Sequence, residues 1–104
     1  MGIMFYGDAR QPVPVEDRTL AHVKAVIIAR LRRGESCTFS WKTETGHRET
    51  VWISQYISLH FVFDEPDRPT LNRQWIEELS RAAASPAGLW AVPEPADSEL
   101  TDAS

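Results

Sequence analysis

Three histidines, one cysteine and two pairs of adjacent carboxylates are the residues through which this 104-residue chain would do chemistry. His22, His47 and His60 would serve as proton carriers or metal ligands, but none has a second His, Cys or carboxylate at a spacing typical of zinc sites. Pairing of strands is the one route that would bring His60 near Ser40 or Thr38, and nothing in the spacing supports a nucleophile with its base. Cys37 alternates with Phe39 and Trp41, which makes it a small core residue rather than a reactive thiol. Glu77–Glu78 and Asp64–Glu65 are neighbours in sequence. Carboxylates that share acid–base work must face one another across a pocket, and adjacent residues on a helix do not. No phosphate loop of the Gly-x-x-x-x-Gly-Lys type and no Gly-x-Gly-x-x-Gly run is present. The expectation is therefore no catalytic residue, no cofactor, no metal ligand and no enzyme.

Binding residues stand out more clearly. Arg18, Lys24, Arg30, Arg32 and Arg33 place five of the 11 cations in one segment. At 100° per residue, Arg18, His22, Arg32 and Arg33 fall opposite an apolar stripe, around the small Ala25 and Ala29. Such a face suits phosphates or an acidic protein surface. Its cations also suit the helix's own C-terminal dipole, so the pattern has two readings. Trp52 points away from its neighbours Val51 and Ile53, so it stands on the face opposite the core. There it is a binding anchor, part of a dimer interface, or a ring packed on the stems of Lys42 or Arg48.

These residues need elements to hold them. Ile3 to Tyr6 reads as a strand, and Gly7–Asp8 as a turn. Pro12 and Pro14 flank Val13 in an extended segment, which fits an edge strand. A helix is expected over 18–33 with Asp17 as its N-cap, buried through Leu20, Val23, Ile27 and Leu31, and ended by Gly34. Residues 36–42 alternate as a half-buried strand. A polar turn with Gly46 leads to a return strand over 49–54, and a further strand covers 57–63. A second helix over 70–84 begins near Thr70 or Asp67 and buries Leu71, Trp75, Leu79, Ala82 and Ala83. Leu89 to Val92 is a last short strand. The expected fold is a single two-layer α+β domain over 1–92, in the order β-β-α-β-β-β-α-β, with two helices covering an antiparallel or mixed sheet.

Composition agrees: hydrophobic content is 42% and charged content 25%, ordinary for a globular domain. The net charge of −4 sits in residues 93–104, which hold four carboxylates and no Lys or Arg, and which are expected to form an acidic disordered tail. The body balances 11 basic against 11 acidic residues, so it has no general attraction for polyanions. One cysteine excludes an intrachain disulfide. No signal peptide is read at the N-terminus, and no apolar run is long enough for a bilayer. The expected compartment is the cytoplasm, with no membrane contact.

The stretch Asp17 to Trp41, the opening Tyr6-Gly7, the Leu71-Asn72-Arg73-Gln74-Trp75-Ile76-Glu77 segment, and Gly88-Leu89 with Val92-Pro93-Glu94-Pro95 together resemble a family of short actinobacterial proteins. The family is of unknown function, and its members often carry the label "ATP-dependent DNA ligase". The resemblance implies a shared fold and a link to DNA processing, and it supplies no active site. The label requires a nucleophilic lysine in Lys-x-Asp-Gly. Lys24 is followed by Ala-Val-Ile and Lys42 by Thr-Glu-Thr-Gly.

The function expected is a non-catalytic interaction or regulatory module. It binds a protein partner, or a second copy, through the Trp52 face or the first helix. The alternative is a nucleic-acid-binding accessory acting through the basic first helix. A small enzyme ranks third.

Overall fold

The computed structural model describes residues 1–96, so part of the expected tail, 97–104, lies outside the described residues. The elements are β1 (Gly2–Tyr6), β2 (Gln11–Val15), α1 (Asp17–Arg32), β3 (Cys37–Lys42), β4 (Arg48–Ile53), β5 (Leu59–Val62), α2 (Arg73–Ala84) and β6 (Leu89–Trp90). This is an α+β domain in the order read from the sequence. Its strands divide into two three-stranded sheets, β2-β1-β5 and β4-β3-β6, where one sheet was expected. The cause is the turn after β4, in which Ile57 N–H donates to the Ser54 carbonyl at 3.2 Å. The chain leaves β4 there and delivers β5 to β1 instead.

In the first sheet β1 is central. Met4 lies between Val13 and Phe61, and its inner face is completed by Val15. Pro12 and Pro14 stand opposite Phe5 and Ile3 on the edge strand β2, where an absent N–H breaks no ladder. A Cβ on Gly2 would lie 2.7 Å from Leu20 Cδ2, so α1 rests directly on β1. In the second sheet β3 is central, antiparallel to β4 and parallel to β6. A parallel neighbour requires a crossover, which α2 provides. Cys37, Phe39 and Trp41 turn inward with Ile53 and Leu89.

The two helices pack on each other; α1 also packs on β1, and α2 on β3 and β6. Leu20, Val23, Val26 and Ile27 of α1 meet Trp75, Leu79 and Ala83 of α2 in one core. Both helix starts differ from expectation. The N-cap of α1 is Glu16, whose carboxylate accepts from Thr19 N–H at 3.1 Å. Asp17 instead accepts from the backbone N–H groups of Asp64 and Glu65. The N-cap of α2 is Asn72, so Leu71 precedes the helix and is exposed rather than part of its stripe.

Gly88 closes the turn into β6 with φ +82°, and a Cβ there would sit 1.9 Å from Thr38 Oγ1. Gly46 has φ +86° and open space around it. Gly88→Ala should therefore cost about 1–3 kcal/mol, and Gly46→Ala less. Urea unfolding of both variants checks this; equal shifts would mean that the approach to Thr38 carries no weight.

Candidate functional site

The cations of α1 do not form one open face. Arg18 donates from Nε and Nη2 to the two oxygens of Glu94, each at 2.8 Å, and from Nη1 to the Thr70 carbonyl. Arg33 donates to Glu35 at 3.0 and 3.2 Å. Arg30 donates to the Ser36 carbonyl and lies 3.7 Å from Glu35. Lys24 sits 5.5 Å from the centre of the Phe63 ring. Arg32 is exposed and, among the described residues, has no carboxylate partner. Hydrogen bonds from Arg33 hold the Glu35 carboxyl below its ordinary value. Three of the five cations are thus bound to the chain's own carboxylates.

His22 was assigned to the same exposed face, and the structure corrects this: it has no exposed surface. Helix α2 covers that side of α1, and the His22 and Trp75 rings lie 4.4 Å apart. Nδ1 faces the Arg18 carbonyl at 2.8 Å, and Nε2 accepts from Asn72 N–H at 2.8 Å. These partners assign the Nδ1–H tautomer, a neutral ring. Burial depresses its pKa. Asn72 is equally buried. Its Oδ1 caps α2 at Trp75 N–H, and its Nδ2 donates to Glu94 at 3.0 Å. Glu94 is therefore anchored to Arg18 of α1 and to the N-cap of α2. Hydrogen bonds from Arg18, aided by Asn72, hold the Glu94 carboxyl at about 2 against the opposing effect of burial.

Beside this knot, Ala21 and Ala25 of α1 and Phe63 and Leu71 of the loop between β5 and α2 line an open groove of about 710 Å³. Arg18, Lys24 and Arg68 share its walls with Glu16, Asp17, Glu65 and Asp67. Opposite charges mix there, so the groove favours neither sign of ligand.

The outer face of the second sheet has a different character. In register, Thr38 faces Trp52, Ser40 faces Thr50 and Lys42 faces Arg48, with Trp90 beside Ser40. Both helices lie on the core side, so among the described residues this face has no helical cover. Trp52 keeps 56% of its surface exposed, and Trp90 is partly buried. The Ser40 and Thr50 hydroxyls are 2.7 Å apart. The Tyr6 hydroxyl, from the other sheet, donates to the Trp52 carbonyl. Trp52 is thus held at its backbone while its ring remains in solvent.

The other reactive residues stay apart. His60 is opposite Phe5 in the first sheet, 3.3 Å from Arg10, whereas Ser40 belongs to the second, so the nucleophile–base pairing does not form. His47 contacts Thr45 within its turn. Cys37 is buried, and burial pushes its thiol pKa up. Among the described residues no three His, Cys, Asp or Glu side chains gather as a metal site, and no helix is long and apolar enough to cross a membrane. Sequence reasoning missed the roles of Asn72 and Glu94, and it named Lys42 and Arg48 only as stems beside Trp52, not as a pair facing each other. Asn three residues before Trp75 was a legible capping signal; Glu94 was submerged in an acidic run.

The chain belongs to a family described as a domain of unknown function, DUF7882, whose model matches residues 1–94. That span ends on the residue bound by Arg18 and Asn72. No curated protein and no solved structure matches the chain.

The knot has a pH signature. His22 has a depressed pKa in the folded state, so its contribution is complete above the unfolded value of 6.5 and is lost as pH falls below it. Glu94, held at about 2, contributes fully above 4.5 and loses that contribution as pH falls toward 2. The urea midpoint should decline in two stages on acidification. His22→Gln should remove the first stage; its persistence would assign that decline to another group.

Proposed function

We propose that this domain is a non-catalytic interaction module with a regulatory role in the cytoplasm, and that it binds a protein partner through the outer face of the second sheet. The observation that carries this reading is Trp52: a ring more than half exposed, on a sheet face without helical cover, and fixed at its carbonyl by Tyr6. Large aromatics with restrained backbones anchor interfaces because they bury much apolar area at little entropic cost. Exposed Thr50 and the partly buried Thr38 and Trp90 extend the surface. A second copy of the chain is the homodimeric form of the same reading.

The nucleic-acid accessory is the second reading, and exposed Arg32 favours it. It asks Arg18, Arg30 and Arg33 to exchange partners within the chain for phosphates, which takes away much of the gain. The ligase activity attached to the actinobacterial proteins that the sequence resembles has no support in Lys24 or Lys42, neither of which lies in a Lys-x-Asp-Gly setting.

Affinity capture from a lysate of the source cell, with wild-type and Trp52→Ala bait and with and without nuclease, tests both readings. Sedimentation of the bait alone tests self-association. A protein that survives nuclease and is lost with Trp52→Ala is the expected result. Capture indifferent to Trp52 would remove this face from consideration, and capture abolished by nuclease would favour the nucleic-acid reading.

A further inference from the structure

The β3–β4 hairpin carries a pairing that works against its own stability. Thr43 N–H donates to the His47 carbonyl at 2.7 Å, and antiparallel pairs alternate between hydrogen-bonded and non-hydrogen-bonded positions. Counting from that bond, Lys42:Arg48, Ser40:Thr50 and Thr38:Trp52 are non-hydrogen-bonded pairs, where side chains approach most closely. The 2.7 Å contact between Ser40 and Thr50 fits this phase. Two cations directly opposite each other repel. Among the described residues neither Lys42 nor Arg48 has a carboxylate within ion-pair distance, and Glu49 lies on the other face.

The same phase turns the backbone N–H and C=O groups of Arg48, Thr50 and Trp52 away from β3. Among the described residues there is no further strand on that side, because β4 is an edge. The Trp52 carbonyl bonds to Tyr6, which confirms the outward direction. Among the described residues Arg48 and Thr50 keep their outward groups open, beside two unneutralised cations and an exposed indole. An open edge of this kind accepts an extended peptide as an added strand.

We propose that β4 takes an extended acidic segment of a partner protein by strand addition. The segment's backbone pairs along Arg48–Thr50. A carboxylate on its outer-face side neutralises Arg48 and Lys42, and an apolar side chain farther along packs on Trp52. This rests on the Trp52 reading above and names the partner's chemistry. It also accounts for the like-charge pair, whose repulsion is relieved on binding.

The test is an amide-resolved NMR titration at neutral pH with three probes: a capped peptide of the repeat Glu-Thr-Val-Thr (the Glu–Val peptide), which puts Glu and Val in turn on one face of an extended strand, its Lys–Val counterpart with Lys in place of each Glu, and a short oligothymidylate. The Glu–Val peptide is expected to shift the amides of Arg48, Thr50 and Trp52. Its affinity should fall about tenfold or more when Lys42 and Arg48 are both replaced by Thr. The same double variant should unfold at higher urea than wild type. Thr50→Pro, which removes one outward N–H on an edge strand, should also weaken binding while the fold survives. Equal binding of the Lys–Val peptide, preference for the oligothymidylate at these amides, or unmoved amides with the Glu–Val peptide would each overturn the proposal. If Trp52-dependent capture persists when the Glu–Val peptide fails, only the acidic strand is lost; if both fail, the Trp52 reading falls with it.

Discussion

Asn72 has no exposed surface and four hydrogen-bonding groups to satisfy. Its backbone N–H goes to His22 Nε2, its carbonyl accepts from Ile76 N–H, its Oδ1 accepts from Trp75 N–H, and its Nδ2 donates to Glu94. Leaving any one of them unpaired would cost about 1–3 kcal/mol. Each partner comes with its own constraint. His22 must stay neutral, α2 must start at Arg73, and the chain after β6 must return to α1 so that Glu94 meets Arg18. The crossing of α1 over α2 and the path of the chain past β6 are therefore set by one buried amide.

The placement of α2 follows from this knot, and the second sheet follows from α2. Capped at Asn72, the helix presents Trp75, Leu79 and Ala83 to the core, and its end delivers Gly88 and Leu89 beside β3. Trp75 Nε1–H donates to the Val92 carbonyl at 3.0 Å, which ties the segment after β6 to the same helix. On the outer face of that sheet Lys42, Arg48, Thr50 and Trp52 are left exposed because both helices are held on the core side. Charge is distributed accordingly. Most α1 arginines serve the fold through Glu94 and Glu35, whereas Lys42 and Arg48 serve no described contact and weaken their own hairpin. Cations that a fold does not need are the ones that remain for a ligand.

Much of the local structure was legible. The alternation of Cys37, Phe39 and Trp41 against Thr38, Ser40 and Lys42 assigned both faces of β3 correctly, and the outward turn of Trp52 followed from its position between Val51 and Ile53. Pro12 and Pro14 pointed to an edge strand, and β2 is one. His22 failed because helical periodicity ranks residues around one axis and is blind to a second helix arriving from the side. At 100° per residue, His22 and Val26 widen the buried arc to about half the circumference of α1. Leu71 failed because its apolar character fits the stripe of a helix beginning at residue 70, whereas the cap beside it, Asn72, determines the register. Glu94 failed because composition describes a segment and an ion pair concerns one residue.

What the sequence determined by itself was the kind and order of the elements and the inward faces of β3, β4 and β5. These depend on propensities, turns and a two- or 3.6-residue period, all local to the chain. What only the tertiary structure decided was partnership: that β5 pairs with β1, that β6 lies parallel to β3, that His22 is buried against Trp75, and that Lys42 stands opposite Arg48. Such contacts join residues far apart along the chain or depend on the register of a particular turn. They are chosen by which packing satisfies buried polar groups such as Asn72 while closing the core, and no local period records that choice.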